Sequence, residues 1–273
     1  MTTESVEERY LMNPRISLPA LALATLWSAG ALAQDRAVEA TQFTLDVLSV
    51  ESDTSDSTSS GTLGAGLGTT FGIGRYFGAS LNVNYLDTSV RTRDVVGDAS
   101  GGSRPSCSFE NLGGSASVFF RRPTLGKVGF TYGSADLKAS CDGDAIFPLT
   151  REDKLGTDTY RGDAEYYLGD FTFGAAYTTT SLEDGDDLKT TTLNVSWYPL
   201  DSLKLSLWGN DLYDDNTYGL MVEHQPQMFG DGASVRLGVA TSNQSPKTTT
   251  IELGLSYFFG RNVPLKTRDR QYR

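Results

Sequence analysis

Apolar and polar residues alternate with a period of two from Phe43 to Tyr257, and helical periodicity is almost absent. Successive side chains of a strand point to opposite faces of a sheet, so the pattern demands strands with one oily and one polar face. Near the C-terminus Ile251, Leu253, Leu255 and Tyr257 stand against Glu252, Gly254 and Ser256. Leu81, Val83 and Tyr85 stand likewise against Ser80, Asn82 and Asn84. In another stretch Leu63, Ala65, Leu67, Phe71 and Ile73 oppose a column of glycines, Gly64, Gly66, Gly68, Gly72 and Gly74. About twelve such stretches follow one another, which makes the chain all-β.

Only 38% of the 273 residues are hydrophobic, and no uninterrupted apolar run approaches the ~20 residues a spanning helix needs. A helical membrane protein is therefore excluded. A barrel is not, because its strands alternate lipid-facing and interior-facing residues and average to a polar composition. Residues 1–33 read as a secretory signal peptide. Arg15 supplies the positive charge, 16–27 is mostly apolar, and Ala31-Leu32-Ala33 gives the small-x-small cleavage pattern. The acidic stretch before Met12 does not suit such a signal, so Met12 reads as the true initiator. The competing reading keeps Met1 and makes the apolar stretch a buried or amphipathic helix. With the signal removed, the chain divides into a sheet body, 34–259, and a basic tail, 260–273. The whole chain carries a net charge of −11, and an acidic protein gains nothing from nucleic-acid phosphates.

The connections alternate in length. Short ones fall at 76–79, 122–126, 169–170, 199–202 and 229–232, and longer polar ones at 52–61, 87–108, 136–157, 182–187, 212–216 and 241–247. Both termini then lie at the short-turn end. Short periplasmic turns, longer extracellular loops and an even strand number are the layout of a barrel crossing a bacterial outer membrane. In hydrocarbon each unpaired backbone group costs several kcal/mol, so the sheet must close on itself. The expected fold is thus a transmembrane antiparallel up-and-down β-barrel of about 12 strands, each of roughly 9–12 residues. Tyr76, Phe77, Phe120, Tyr167, Phe171, Trp197, Tyr198, Phe229, Tyr257 and Phe259 lie near the short-turn ends and read as an aromatic girdle at the periplasmic interface.

From Gln34 to Phe259 the chain resembles Gram-negative outer-membrane β-barrels of the porin type. The sharpest motif is Gly254-Leu255-Ser256-Tyr257-Phe258-Phe259, similar to the glycine-x-x-aromatic-x-aromatic signal of terminal strands. The resemblance implies that Gly254, Tyr257 and Phe259 are read by the barrel-assembly machinery. Two features depart from the pattern: Leu253 stands where a polar residue is usual, and the chain runs on past Phe259. That extension carries five basic residues and one acidic, and reads as an unstructured periplasmic tail or a contact for anionic surfaces.

Inward parity assigns Asp46, Arg121, Arg161, Asp163, Glu165, Lys204, Glu223, Arg236 and Glu252 to the interior, where they either line a narrow pore or pair and fill it. Cys107 and Cys141 are equidistant from the turn between their strands, level at the loop end of one hairpin, so a disulfide is expected in an exported chain. The single histidine, His224, has lipid-facing parity, and no serine near it sits in a nucleophile elbow; catalysis is not expected. Acidic loops at Asp142-Gly143-Asp144, at 183–187 and at Asp211, Asp214 and Asp215 read as solvated, with bridging of divalent ions to lipopolysaccharide phosphates as the functional alternative. No metal site or cofactor is expected. The leading expectation is a channel for passive diffusion of small hydrophilic solutes or ions, preferring cations at its acidic mouth. The alternative is a non-conducting structural or adhesive barrel acting through its loops. Expected partners are outer-membrane lipid and lipopolysaccharide, the assembly machinery and the solutes.

Overall fold

The structure is a computed structural model describing residues 36–55, 58–92, 106–141, 154–183, 186–211, 216–226, 228, 232–243, 247–260 and 263–272. The expected signal peptide lies outside these. Twelve strands follow in chain order: β1 (Gln42–Thr54), β2 (Thr58–Ile73), β3 (Phe77–Thr92), β4 (Ser106–Arg122), β5 (Gly126–Cys141), β6 (Lys154–Leu168), β7 (Phe171–Leu182), β8 (Leu188–Leu200), β9 (Leu203–Asn210), β10 (Thr217–His224), β11 (Ala233–Ser242) and β12 (Thr248–Phe259). Each pairs antiparallel with its chain neighbours. β1 closes on β12, from Phe43 opposite Phe259 to Thr54 opposite Thr248, so the sheet has no free edge.

The alternation seen in the sequence is the alternation of the wall. Leu63, Leu67, Leu193 and Leu207 are more than 60% exposed on the outer face, while residues of the other parity such as Leu48, Asn111, Ser117 and Glu252 are buried inside. Hydroxyls pair across the inner face, with Ser117 Oγ 2.8 Å from Thr131 Oγ1, Ser196 Oγ 2.8 Å from Ser206 Oγ and Thr159 Oγ1 3.1 Å from Thr180 Oγ1. These pairs let a polar interior satisfy itself.

Strand lengths differ from the expectation. β2 to β6 run to 15–17 residues, whereas β9 and β10 have 8 each. At ~3.3 Å per residue and a tilt near 40°, a strand of the greater length rises about 43 Å, well beyond an apolar band of about 25 Å. The wall therefore stands tall above the bilayer along β2–β6 and low along β9–β10. For the same reason the long loop expected at 52–61 is a short turn: Ser52 pairs with Ser60 and Asp53 with Ser59. Serine and threonine there mark the exit from lipid while pairing continues.

The girdle also needs correction. Phe77, Phe120, Phe171, Trp197, Tyr257 and Phe259 face outward as expected, and Phe171 stacks on Trp197 with centroids 6.3 Å apart. Tyr167 and Tyr198 are each 4% exposed and point inside. Tyr167 follows the outward Tyr166, so parity rules over nearness to a turn. Phe229 lies outside the described residues.

Candidate functional site

The interior is built in three tiers, starting from the short-turn mouth. There the segments flanking the barrel, 36–41 and 263–272, meet the mouth. Ala37 N donates to the Arg75 carbonyl at 2.6 Å, and Arg121 Nη1 donates to the Ala37 carbonyl at 2.8 Å. Ala37, Val38 and Phe119 form a buried apolar cluster. Two glycines make room for it: a Cβ on Gly78 would stand 2.3 Å from the Phe119 ring, and one on Gly72 would stand 2.9 Å from the Val38 carbonyl oxygen.

The C-terminal tail, read above as unstructured, is ordered inside the mouth. It forms one short helix, α1 (Leu265–Asp269), and Leu265, Arg268, Asp269, Arg270, Gln271 and Tyr272 are all buried. Lys204 Nζ lies 2.6 Å from both Asp269 Oδ2 and Glu223 Oε2, and Arg268 Nη2 lies 3.4 Å from Glu223 Oε1. Tyr198 Oη donates to Asp269 Oδ2 at 3.0 Å, and Tyr272 Oη donates to Glu39 Oε2 at 2.6 Å. At the rim Lys266 Nζ donates to Asp170 Oδ1 at 2.6 Å, and this bond with the ammonium charge holds the Asp170 carboxyl below its usual range.

The second tier is charged. The nine residues assigned to the interior by parity all turn inward: Asp46, Arg121, Asp163, Lys204, Glu223, Arg236 and Glu252 are buried, and Arg161 and Glu165 are partly so. Several of these groups are held by ion pairs or hydrogen bonds at close range. Arg236 Nε donates to Glu252 Oε1 at 2.6 Å, Ser256 Oγ donates to Asp46 Oδ1, and Tyr167 Oη donates to Glu165 Oε2 at 2.9 Å. Lys127, which the parity list left out, lies 3.3 Å from Asp163 and 3.6 Å from Glu165. Gly254 of the terminal-strand motif has a local reason as well: a Cβ there would stand 2.8 Å from Arg236 Nη2.

Above these pairs, along β1–β6, lies a cavity of about 140 Å³. Its side chains are mostly uncharged donors and acceptors: Asn82, Asn84, Asn111, Ser115, Thr131 and Thr159, with Asp46 and Arg161 the charged members. Asn111 is 5% exposed, and its Oδ1 has no hydrogen-bond partner. The glycine column of β2 gives the cavity its wall, since a Cβ on Gly68 would stand 2.5 Å from Asn82 Oδ1.

Cys107 and Cys141 are Cα partners across β4 and β5. His224 is exposed on the outer face, its Nδ1 3.1 Å from the Ser202 carbonyl oxygen. Of the acidic loops, Asp142, Asp144, Asp184, Asp214 and Asp215 lie outside the described residues. Glu183 accepts from the Gly156 amide, Asp187 from Ser181 and Asp211 from the Thr191 amide. Among the described residues no group of three or more histidine, cysteine or carboxylate side chains is placed to hold a metal ion.

Searches against family models and against curated proteins return no match. Solved structures do match. An outer membrane channel from Pseudomonas putida F1 superposes with a TM-score of 0.61 at 11% identity, over 85% of this chain and 98% of that one. The chain has the fold of an outer-membrane β-barrel. It also matches the translocator domain of the autotransporter NalP from Neisseria meningitidis, with a TM-score of 0.51 at 10% identity over 81% of this chain and 88% of that one. The transport unit of the autotransporter AIDA-I from Escherichia coli gives 0.50 at 12% identity, over 84% and 93%. A closed wall that is oily all round its outside is solvated by lipid alone, and its place is the outer membrane.

Proposed function

We propose that this barrel lets small hydrophilic solutes diffuse across the outer membrane and favours uncharged, hydrogen-bonding solutes over ions. The observation that carries this reading is the amide- and hydroxyl-lined cavity inside a wall where Lys127, Lys204 and Arg236 are each paired with interior carboxylates. Matched charges leave little net field to attract or repel an ion. Amides and hydroxyls both donate and accept, so they can replace the hydration of a polar solute with no charge requirement. The cation preference expected from the acidic loops would then act only at the outer mouth.

Swelling of proteoliposomes made with the refolded chain should be faster in an uncharged pentose or hexose than in an equal-sized sugar acid or amino sugar. Planar bilayers should show discrete conductance steps. Absence of both, in the intact chain and in a chain whose tail has been released, would make this a non-conducting barrel acting through its loops. The occupied short-turn mouth favours that second reading. On either reading we also propose that the barrel is not an enzyme, which the outward placement of His224 supports. Gly254, Tyr257 and Phe259 serve as its assembly signal, and lipopolysaccharide surrounds its loop end.

We further infer that Cys107 and Cys141 form a disulfide. Paired strand positions have Cα atoms about 4.5–5.5 Å apart, inside the range a disulfide spans. Cys107→Ser should lower the unfolding free energy by about 3 kcal/mol in the chain-entropy picture, and so should reduction of the native chain. Denaturant midpoints with and without reductant measure this. Equal midpoints together with two alkylatable thiols in the native barrel would refute the bond.

A further inference from the structure

We propose that the short-turn mouth of the barrel is a binding site for a guanidinium-bearing peptide segment, occupied reversibly by the chain's own C-terminal tail. Closure of the pore by that tail rests on the channel reading above; the binding site itself does not.

The mouth is rich in acceptors and fitted to arginine. The Arg270 guanidinium lies 5.0 Å from the Tyr167 ring and 5.4 Å from the Tyr198 ring, and donates to Thr172 Oγ1 at 3.0 Å, to the Gly169 carbonyl at 2.8 Å and to the Phe171 carbonyl. The Arg268 guanidinium lies 3.8 Å over the Phe258 ring and reaches Glu223 and the Gly232 carbonyl, each at 3.4 Å. Aromatic faces and fixed acceptors around a planar cation are how proteins recognise guanidinium. A lysine in either place would lose the multidentate fit.

The contacts also span the opening. They reach the β6–β7 turn through Arg270, the β8–β9 turn through Lys266 N to the Asp201 carbonyl at 2.9 Å, the β10–β11 connection through Arg268, and the N-terminal segment through Tyr272. A segment tied to four sides of a mouth blocks it.

Three features make the closure removable. The tail adds no strand, since all twelve strands pair with one another without it. Its helix has only five residues and cannot stand alone in water. Its hold is mainly ionic and hydrogen-bonded, with Leu265 and Tyr272 the main apolar anchors. Releasing it therefore breaks none of the ladder that holds the barrel closed.

The full-length chain with Arg268→Glu tests this, because the substitution sets a carboxylate against Glu223. In the native chain, trypsin should leave Lys266 and Arg270 uncut, and in the variant it should cut both while heat-modifiable gel migration shows an intact barrel. Conductance of the variant should rise several-fold. A synthetic peptide of residues 261–273, added at the short-turn side, should restore the block, and one with Arg268 and Arg270 replaced by lysine should not. A tail that stays protected in Arg268→Glu overturns the proposal. So does a released tail whose native peptide neither binds nor blocks, even if current flows. A peptide that binds the released variant while no current ever flows supports the site and sinks the channel reading instead.

Discussion

Leu81→Arg is expected to cost about 2–4 kcal/mol of folding free energy in phospholipid vesicles, the range for a cation at the midplane of a barrel's lipid face. Leu81 is 50% exposed on the outer wall of β3 and lies midway between two outward aromatics, Phe77 and Tyr85. If those rings mark the two interfaces, position 81 is as deep in hydrocarbon as this strand reaches. Its neighbour Asn82 is the control. That side chain turns inward into the polar cavity, where a guanidinium meets amides and water, so Asn82→Arg should cost far less. It should also shift solute preference towards anions. Denaturant titration of the refolded barrel in vesicles measures both variants. A larger penalty at position 82 than at 81 would mean that the oily stripe lines the inside, and the membrane assignment would fail with it.

The pair Leu81 and Asn82 also shows why most of this fold is legible from sequence. A period of exactly two residues leaves only two phases, and a strand solvated by lipid on one side declares its phase at almost every position. Parity alone therefore places all nine charged residues on the inner face, where they are buried or half-buried. The same parity puts Lys127 inside, because Val128 and Phe130, of the opposite parity, face lipid. Nearness to a turn is a poorer guide than parity. Tyr167 and Tyr198 are close to turns, yet both are interior residues that hold Arg270. The stretch 52–60 looks like a loop from its Ser and Thr, yet Ser52 pairs with Ser60 and Asp53 with Ser59. The tail defeats the method for a different reason. A segment that docks by a few specific ion pairs has no periodic face, and its partners Glu223, Lys204 and Glu39 are scattered far along the chain. The hints were there in Leu265 and Tyr272, apolar anchors in a basic stretch, but no spacing rule connects them to a mouth.

Glu223→Leu should be the most damaging single change inside the barrel, at about 3–5 kcal/mol, the cost of stripping one partner from a buried ion pair. Glu223 is 1% exposed and takes Lys204 at 2.6 Å, the Ser234 hydroxyl at 2.8 Å and Arg268 at 3.4 Å. Leucine removes a carboxylate from both Lys204, which keeps Asp269 at 2.6 Å, and Arg268, and it removes the acceptor of the Ser234 hydroxyl as well. Glu223→Gln should cost less, since its amide oxygen can still accept from Ser234 and from one cation. The decisive comparison is a double-mutant cycle. Lys204→Met alone removes a cation from between Glu223 and Asp269 and sets two carboxylates near each other. Combined with Glu223→Leu it takes away both members of one pair, so the double variant should cost clearly less than the two single changes added together. Because these groups are shielded from solvent, the coupling should persist in high salt, unlike that of the exposed Lys138–Glu110 pair. Additive costs, or a coupling that vanishes in salt, would mean that water fills this tier and that the four charges never act as a unit.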